Sequence, residues 1–177
     1  MSLPQPPDPA KLVIGLFTGE KQQFREAACD LLKEFGEIEV VSPWFSFDYT
    51  RYYETEMGGP LFRRMMVFKT PIQQDALPDI KIITNRIELK YTRDQKRTIN
   101  IDPGYLLLER FVLATGKNYT HRIHIGKGIY ADLTLIFQNG CFQPLPWTYP
   151  DYADQTMKTF LEKIRDRLRM ETKGGKK

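Results

Sequence analysis

Residues 12–35 read LVIGLFTGEKQQFREAACDLLKEF, and this stretch decides the fold. Its first six residues are apolar at every position, the pattern of a strand covered on both faces. From residue 24 the period changes. Phe24, Ala27, Ala28, Leu31, Leu32 and Phe35 recur at helical spacing, and Gly36 supplies the stop. Outward from this βα step, residues 38–47 are rich in Val, Ile and aromatics and predict a second strand. A polar link, DYTRYYETEMGGP, leads to a third strand at 62–69. Pro78 then suits the first turn of a second helix, because its missing N–H costs nothing there. That helix puts Ile80, Ile83, Ile87 and Tyr91 on one face and points Lys81, Arg86, Lys90 and Arg93 outward. Residues 97–101 follow as a fourth strand. The order βαββαβ predicts an α+β fold with a ferredoxin-like sheet.

Beyond it, Asp102-Pro103-Gly104 predicts a break. Residues 105–115 fit a helix capped by Asp102 or a mixed segment, although Leu106, Leu108 and Val112 also suit a strand. HRIHI and IYADLTLIF flank Gly126-Lys127-Gly128, and Asn139-Gly140 carries a type I′ turn signal, so hairpins extend the sheet. In the expected register Ile125 faces Ile129, His124 faces Tyr130, Ile123 faces Ala131 and Arg122 faces Asp132. Ile123, Ile125, Ala131, Leu133, Leu135 and Phe137 then share a core face, and Arg122, His124, Tyr130, Asp132 and Thr134 the other. A closing helix over 152–170 buries Met157, Phe160, Leu161, Ile164 and Leu168. The organisation expected is a disordered Pro-rich leader over 1–10, one α+β domain over 11–172, and a disordered basic tail over 173–177.

Composition agrees with one globular chain: 177 residues, 41% hydrophobic and 27% charged. The net charge of +4 invites a nucleic-acid reading, but Lys173, Lys176 and Lys177 in the tail supply three of those charges. What remains is local. Residues 81–127 hold ten Lys/Arg against four Asp/Glu. No apolar run is long enough for a membrane span, and no secretory n- and h-region opens the chain, so a cytoplasmic location is expected. Cys29 and Cys141 read as buried or half-buried free thiols rather than a disulfide framework. His121 and His124 have no standard zinc spacing, and the segment GLFTGEK at 15–21 is one residue short of a phosphate loop and lacks its Ser/Thr. There is thus no P-loop for GTP.

The strings FDYTRYYETEMG, DIKIITNRIE, NIDPGYL, VLATGKNYTHRIHIGKGIYADLTL and FQPLPWTYPDY together resemble domain-of-unknown-function family 4416 of bacterial and archaeal proteins. The resemblance runs over residues 11–169. It implies no established activity. Some members carry an automatic GTP-binding label, which the missing phosphate loop does not support. Asp132 stands where Glu is more usual in the family.

Those strings hold more polar and aromatic residues than packing requires. Asp48, Tyr49, Tyr52, Tyr53, Glu54 and Glu56 crowd one link, as site-bearing loops do; a solvated loop is the simpler account. Arg122 opposite Asp132 reads as a cross-strand ion pair or as an anion-binding Arg oriented by its carboxylate, with His124 and Tyr130 beside it as proton donors. His121 falls on the apolar face as a hydrogen-bonded core histidine. Lys81, Thr84, Asn85 and Glu88 read as an exposed helix stripe, and Asn100, Asp102 and Tyr105 as turn residues. Trp147, Thr148, Tyr149, Asp151 and Tyr152 pin a helix to a sheet or stack a planar ligand.

The function expected is binding or processing of a small anionic, nucleotide- or phosphate-like molecule. Asp48, Glu56, His124 and Asp132 are its catalytic candidates. Tyr53, Lys117, Arg122, Tyr130 and Trp147 are its ligand contacts, and a divalent metal such as Mg²⁺ on the carboxylates is the cofactor considered. The alternatives are an RNA-associated module, despite the absence of an RNP1-like string, and a scaffold or dimer-forming protein.

Overall fold

A computed structural model describes the backbone of residues 1–47 and 54–174, and the side chains of all of these but 54, 55, 173 and 174. The expected link residues Asp48, Tyr49, Tyr52 and Tyr53 lie outside the described residues, as do residues 175–177 of the tail. The chain is mixed α+β with a mostly antiparallel sheet. Among the described residues, no helix is long and apolar enough to cross a membrane.

Strand β1 (Lys11–Thr18) is buried at every residue and lies at the middle of the sheet, as its apolar run requires. Helix α1 (Lys21–Phe35) stops at Gly36, which adopts φ 83°. Next come β2 (Ile38–Val41) and β3 (Phe45–Phe47), both paired to β4 (Leu61–Phe68). The sequence predicted one strand over 38–47. It divides at Ser42-Pro43-Trp44, where Pro43 has no N–H for a ladder and the Ser42 hydroxyl accepts the Met65 N–H instead (2.9 Å). Between β3 and β4 sits the short α2 (Glu54–Met57).

Helix α3 (Leu77–Lys90) begins with its Pro in the first turn. A small hairpin of β5 (Thr92–Arg93) and β6 (Lys96–Arg97) precedes β7 (Ile99–Leu106). Strand β8 (Arg110–Thr115) follows, then β9 (Arg122–Gly126), β10 (Ile129–Gln138), β11 (Cys141–Pro144), α4 (Pro150–Ala153) and α5 (Gln155–Gly174). The sheet runs β11-β10-β8-β7-β1-β4-β2, with β3 on β4 and β9 on β10.

Four further expectations are corrected. Asp102-Pro103-Gly104 does not break the chain: it lies within β7, paired to Gly15, Ile14 and Val13 of β1. Residues 110–115 form a strand and no helix, since Phe111, Val112 and Leu113 pair with β7 on one side and β10 on the other. The 122–132 register is as expected for three pairs, but Ile129 pairs Gly126 rather than Ile125. The expected common face of β10 also fails. A bulge between Leu133 and Leu135 sends Ala131 and Leu133 to one face and Leu135 and Phe137 to the other, while Ile123 is 71% exposed.

Both faces of the sheet are covered. Leu12, Ile14, Leu16, Met66, Ile99 and Ile101 pack under α1 and α3, while Val13, Met65, Val67, Leu106 and Phe111 pack under α5 through Met157, Phe160, Leu161, Ile164 and Leu168. The expected closing helix is two helices, separated at Asp154. At the amino end, Ala10 bridges Ile72 and the Asp8 carbonyl accepts the Gln74 side-chain amide (2.9 Å).

Candidate functional site

The site follows from an incomplete ladder. Strands β7 and β8 pair only over Gly104↔Leu113, Tyr105↔Val112 and Leu106↔Phe111. The next pair would set Pro103, which has no N–H to donate, opposite Ala114. There the strands part, β7 staying on β1 and β8 on β10. Gly104 sits at the apex of the fork, where a Cβ would stand 2.4 Å from the Val112 carbonyl oxygen. A cavity of about 630 Å³ fills the fork.

Helix α3 satisfies the backbone that the fork leaves unpaired. The Lys81 ammonium donates to the Ile101 carbonyl (2.8 Å), and the Ile101 N–H donates to Glu88 Oε1 (2.6 Å). The two side chains occupy the place of a neighbouring strand. Lys81, Thr84 and Glu88 are therefore buried, not an outward stripe, and Asn85 on the same face lines the cavity. Burial pushes the Glu88 carboxyl up, against the Lys81 charge, the Ile101 N–H and Arg97, which pull it down.

One wall is a chain of paired charges. Arg63 of β4, 3% exposed, holds Asp151 and also Asp102 (3.0 Å), and its guanidinium lies over the Phe17, Phe47 and Tyr152 rings. Asn100 donates to Asp102 (2.8 Å) and accepts from Arg97 (3.0 Å). Arg97 grips Glu56 with two nitrogens, at 2.8 and 2.9 Å, and these bonds hold the Glu56 carboxyl below its ordinary range.

The opposite wall is Arg122. Its Nε donates to Asp132 (2.8 Å), one terminal nitrogen to the Lys117 carbonyl (3.0 Å) and the other to the Tyr149 hydroxyl (3.1 Å). Burial acts to lower the Arg122 pKa, but the bonds to Asp132 and Tyr149 outweigh it and raise it. His121 reaches the same Asp132 oxygen through Nε2 (3.2 Å) and stacks on Trp147 (5.0 Å, 11°). It is thus half-buried against the ion pair rather than in the apolar core.

Of the residues expected from the sequence, Lys117, Arg122 and Asp132 line this cavity, and Glu56 is bound to Arg97, which lines it. His124 and Tyr130 lie two pairs farther along the hairpin, ring against ring at 5.3 Å, outside the lining. Trp147 is also outside the lining and donates its indole N–H to the Leu133 carbonyl (2.8 Å). Asp48 and Tyr53 lie outside the described residues. Among the described residues, no three His, Cys, Asp or Glu side chains group so as to hold a metal ion. Two of the carboxylates considered for Mg²⁺ face guanidinium groups instead, Glu56 on Arg97 and Asp132 on Arg122.

Sequence reasoning passed over Arg63, Arg97 and Tyr119, named Asp151 only within the segment that pins a helix or stacks a ligand, and read Lys81, Glu88, Asn100 and Asp102 as bland. The signal was phase. Arg63 alternates with Met65 and Val67, and Asp102 with Leu106, on a strand face that packs against α5. A charge in phase with core residues marks a site or a buried pair.

A model of the family described as Domain of unknown function (DUF4416) matches residues 8–168, nearly the whole chain. No curated protein and no solved structure matches.

Proposed function

The chain belongs to the DUF4416 family, and we propose that its forked cleft binds a small anionic molecule of the phosphate class. The observation that carries this reading is convergence. Arg63 from β4, Lys81 from α3, Arg97 from β6, Lys117 from the β8–β9 connection and Arg122 from β9 all line one cavity. Its volume, about 630 Å³, suits a molecule of metabolite size. The lining carboxylates Glu88, Asp102, Asp132 and Asp151 orient these cations rather than cancel the site. Burial disfavours the ionised form of Glu88. For a processing step, Glu88 and Asp132 are the carboxylates available to move a proton, with no reaction assigned.

The strand order β7-β1-β4-β2, with α1 and α3 on one face, supports the ferredoxin-like reading of the first half. The RNA alternative draws on such sheets presenting aromatics on an open face. Here α5 covers that face, which favours the small ligand.

A thermal-shift series with pyrophosphate, ribose 5-phosphate and ribose tests the proposal. At 100 times its Kd a ligand adds about 2.7 kcal/mol, or roughly 5–10 °C for a chain of this size. The phosphate compounds should raise Tm and ribose should not, and Lys117→Ala, at an exposed position, should weaken the effect. Indifference to both phosphate compounds at millimolar concentration would contradict the reading.

A further inference from the structure

We infer that the ligand of the cleft carries an aromatic ring as well as a phosphate, the ring packing on Tyr119 and Tyr149 at the rim: a nucleotide rather than a sugar phosphate. This rests on the anionic-ligand reading above and adds the chemistry of the second half of the molecule. The cations occupy only part of the cavity. Phe47, Leu113 and Ala114 also line it, and a phosphate gains nothing from them.

At the mouth stand two tyrosines that line the cavity yet keep much of their surface open, Tyr119 at 59% and Tyr149 at 48%. Neither is a loose surface ring, because Arg122 fixes both. Its guanidinium lies 4.8 Å from the Tyr119 ring centre, and its backbone N–H donates to the Tyr119 carbonyl (2.9 Å). A terminal nitrogen donates to the Tyr149 hydroxyl (3.1 Å). Arg122 is itself locked by Asp132 and by the Lys117 carbonyl. Next to Tyr119, the His121 ring lies at 6.2 Å and 25°, and Trp147 stacks on His121 in turn.

An exposed aromatic pinned by a buried ion pair is preorganised to receive a planar group, since its rotamer freedom is already spent. Exposed aromatics beside cations also form the stacking platforms that hold nucleic-acid bases without reading their sequence. Lys117 and Tyr119 sit two residues apart on the connection that Arg122 clamps. One segment therefore presents a cation to the phosphate and a ring to the base.

Calorimetric titration of the full chain with pyrophosphate, ribose 5-phosphate, ADP, GDP, CDP and UDP tests this. At least one nucleoside diphosphate should bind about tenfold or more tightly than ribose 5-phosphate. Tyr119→Ala should erase that advantage and leave pyrophosphate affinity unchanged, Tyr119→Phe should retain it, and Lys117→Ala should weaken pyrophosphate and nucleotides alike. The unliganded Tm of the Tyr119 variants should match wild type, since the side chain is mostly exposed. If ribose 5-phosphate binds as tightly as every nucleotide, or if Tyr119→Ala weakens pyrophosphate and nucleotides equally, the ring inference is overturned and the anion reading stands. If no phosphate compound binds, both are overturned.

Discussion

Arg122 and Asp132 show how burial changes the worth of a contact. On a solvated strand face a cross-strand ion pair contributes about 0.2–1 kcal/mol. Here both side chains are 5% exposed or less, and each serves further partners. Asp132→Ala leaves the guanidinium buried without its carboxylate and should cost about 3–5 kcal/mol in urea unfolding. A loss under 1 kcal/mol would return the pair to the surface class.

Glu88 carries the opposite electrostatic burden. Its folded pKa is raised, so the folded chain holds its proton where the unfolded chain has released it. Stability from this residue is full below the ordinary glutamate value near 4.5 and falls as pH rises through the folded value. Glu56, lowered by Arg97, works the other way: its contribution is present above the ordinary value and is lost as pH falls through the folded one. Glu88→Gln keeps an oxygen for the Ile101 N–H and should remove the decline on the alkaline side of 4.5. An unchanged pH profile of unfolding would show that Glu88 ionises freely.

At the scale of elements, the decisive feature is the fork between β7 and β8. Pro103 ends the ladder, Gly104 lets the strands touch at the apex, and Lys81 with Glu88 covers the exposed backbone. Gly104→Ala must displace the Val112 carbonyl, so a loss of about 1–3 kcal/mol is expected from chemical denaturation. Wild-type stability in that variant would mean the apex has room.

Most elements were legible in the sequence because their periodicity is local. The β1–α1 step, the Asn139-Gly140 turn and the apolar stripe of α5 emerged as read. The fork was not legible, since Asp-Pro-Gly normally ends a strand and here ends only one side of its pairing. The bulge at Leu133 was equally hidden, because alternation alone cannot report a residue that slips the register. Lys117, Arg122 and Asp132 could be picked out in advance because they share one dense polar string. Arg63, Lys81 and Glu88 could not, because sequence separates them and only the fork gathers them.

Over the whole molecule, two covered faces explain both the stability and the site. With α1 and α3 on one side and α5 on the other, the core of the sheet is covered on both faces, and the fork opens a polar cavity between its strands. Helix α5 is the larger part of that second cover. Leu161 is fully buried in it, and Leu161→Ala should cost about 2–5 kcal/mol by thermal or urea unfolding. A change near zero would mean that α5 is dispensable to the core.

The role proposed for the fork is to collect an anion. Its most direct test is amide mapping by NMR during titration with pyrophosphate. Saturable shifts should concentrate at Gly116, Lys117, Ile101 and Asp102, with α1 and the outer face of α5 unmoved. Shifts scattered over exposed lysines such as Lys33, Lys69 and Lys90, with none in the fork, would contradict it.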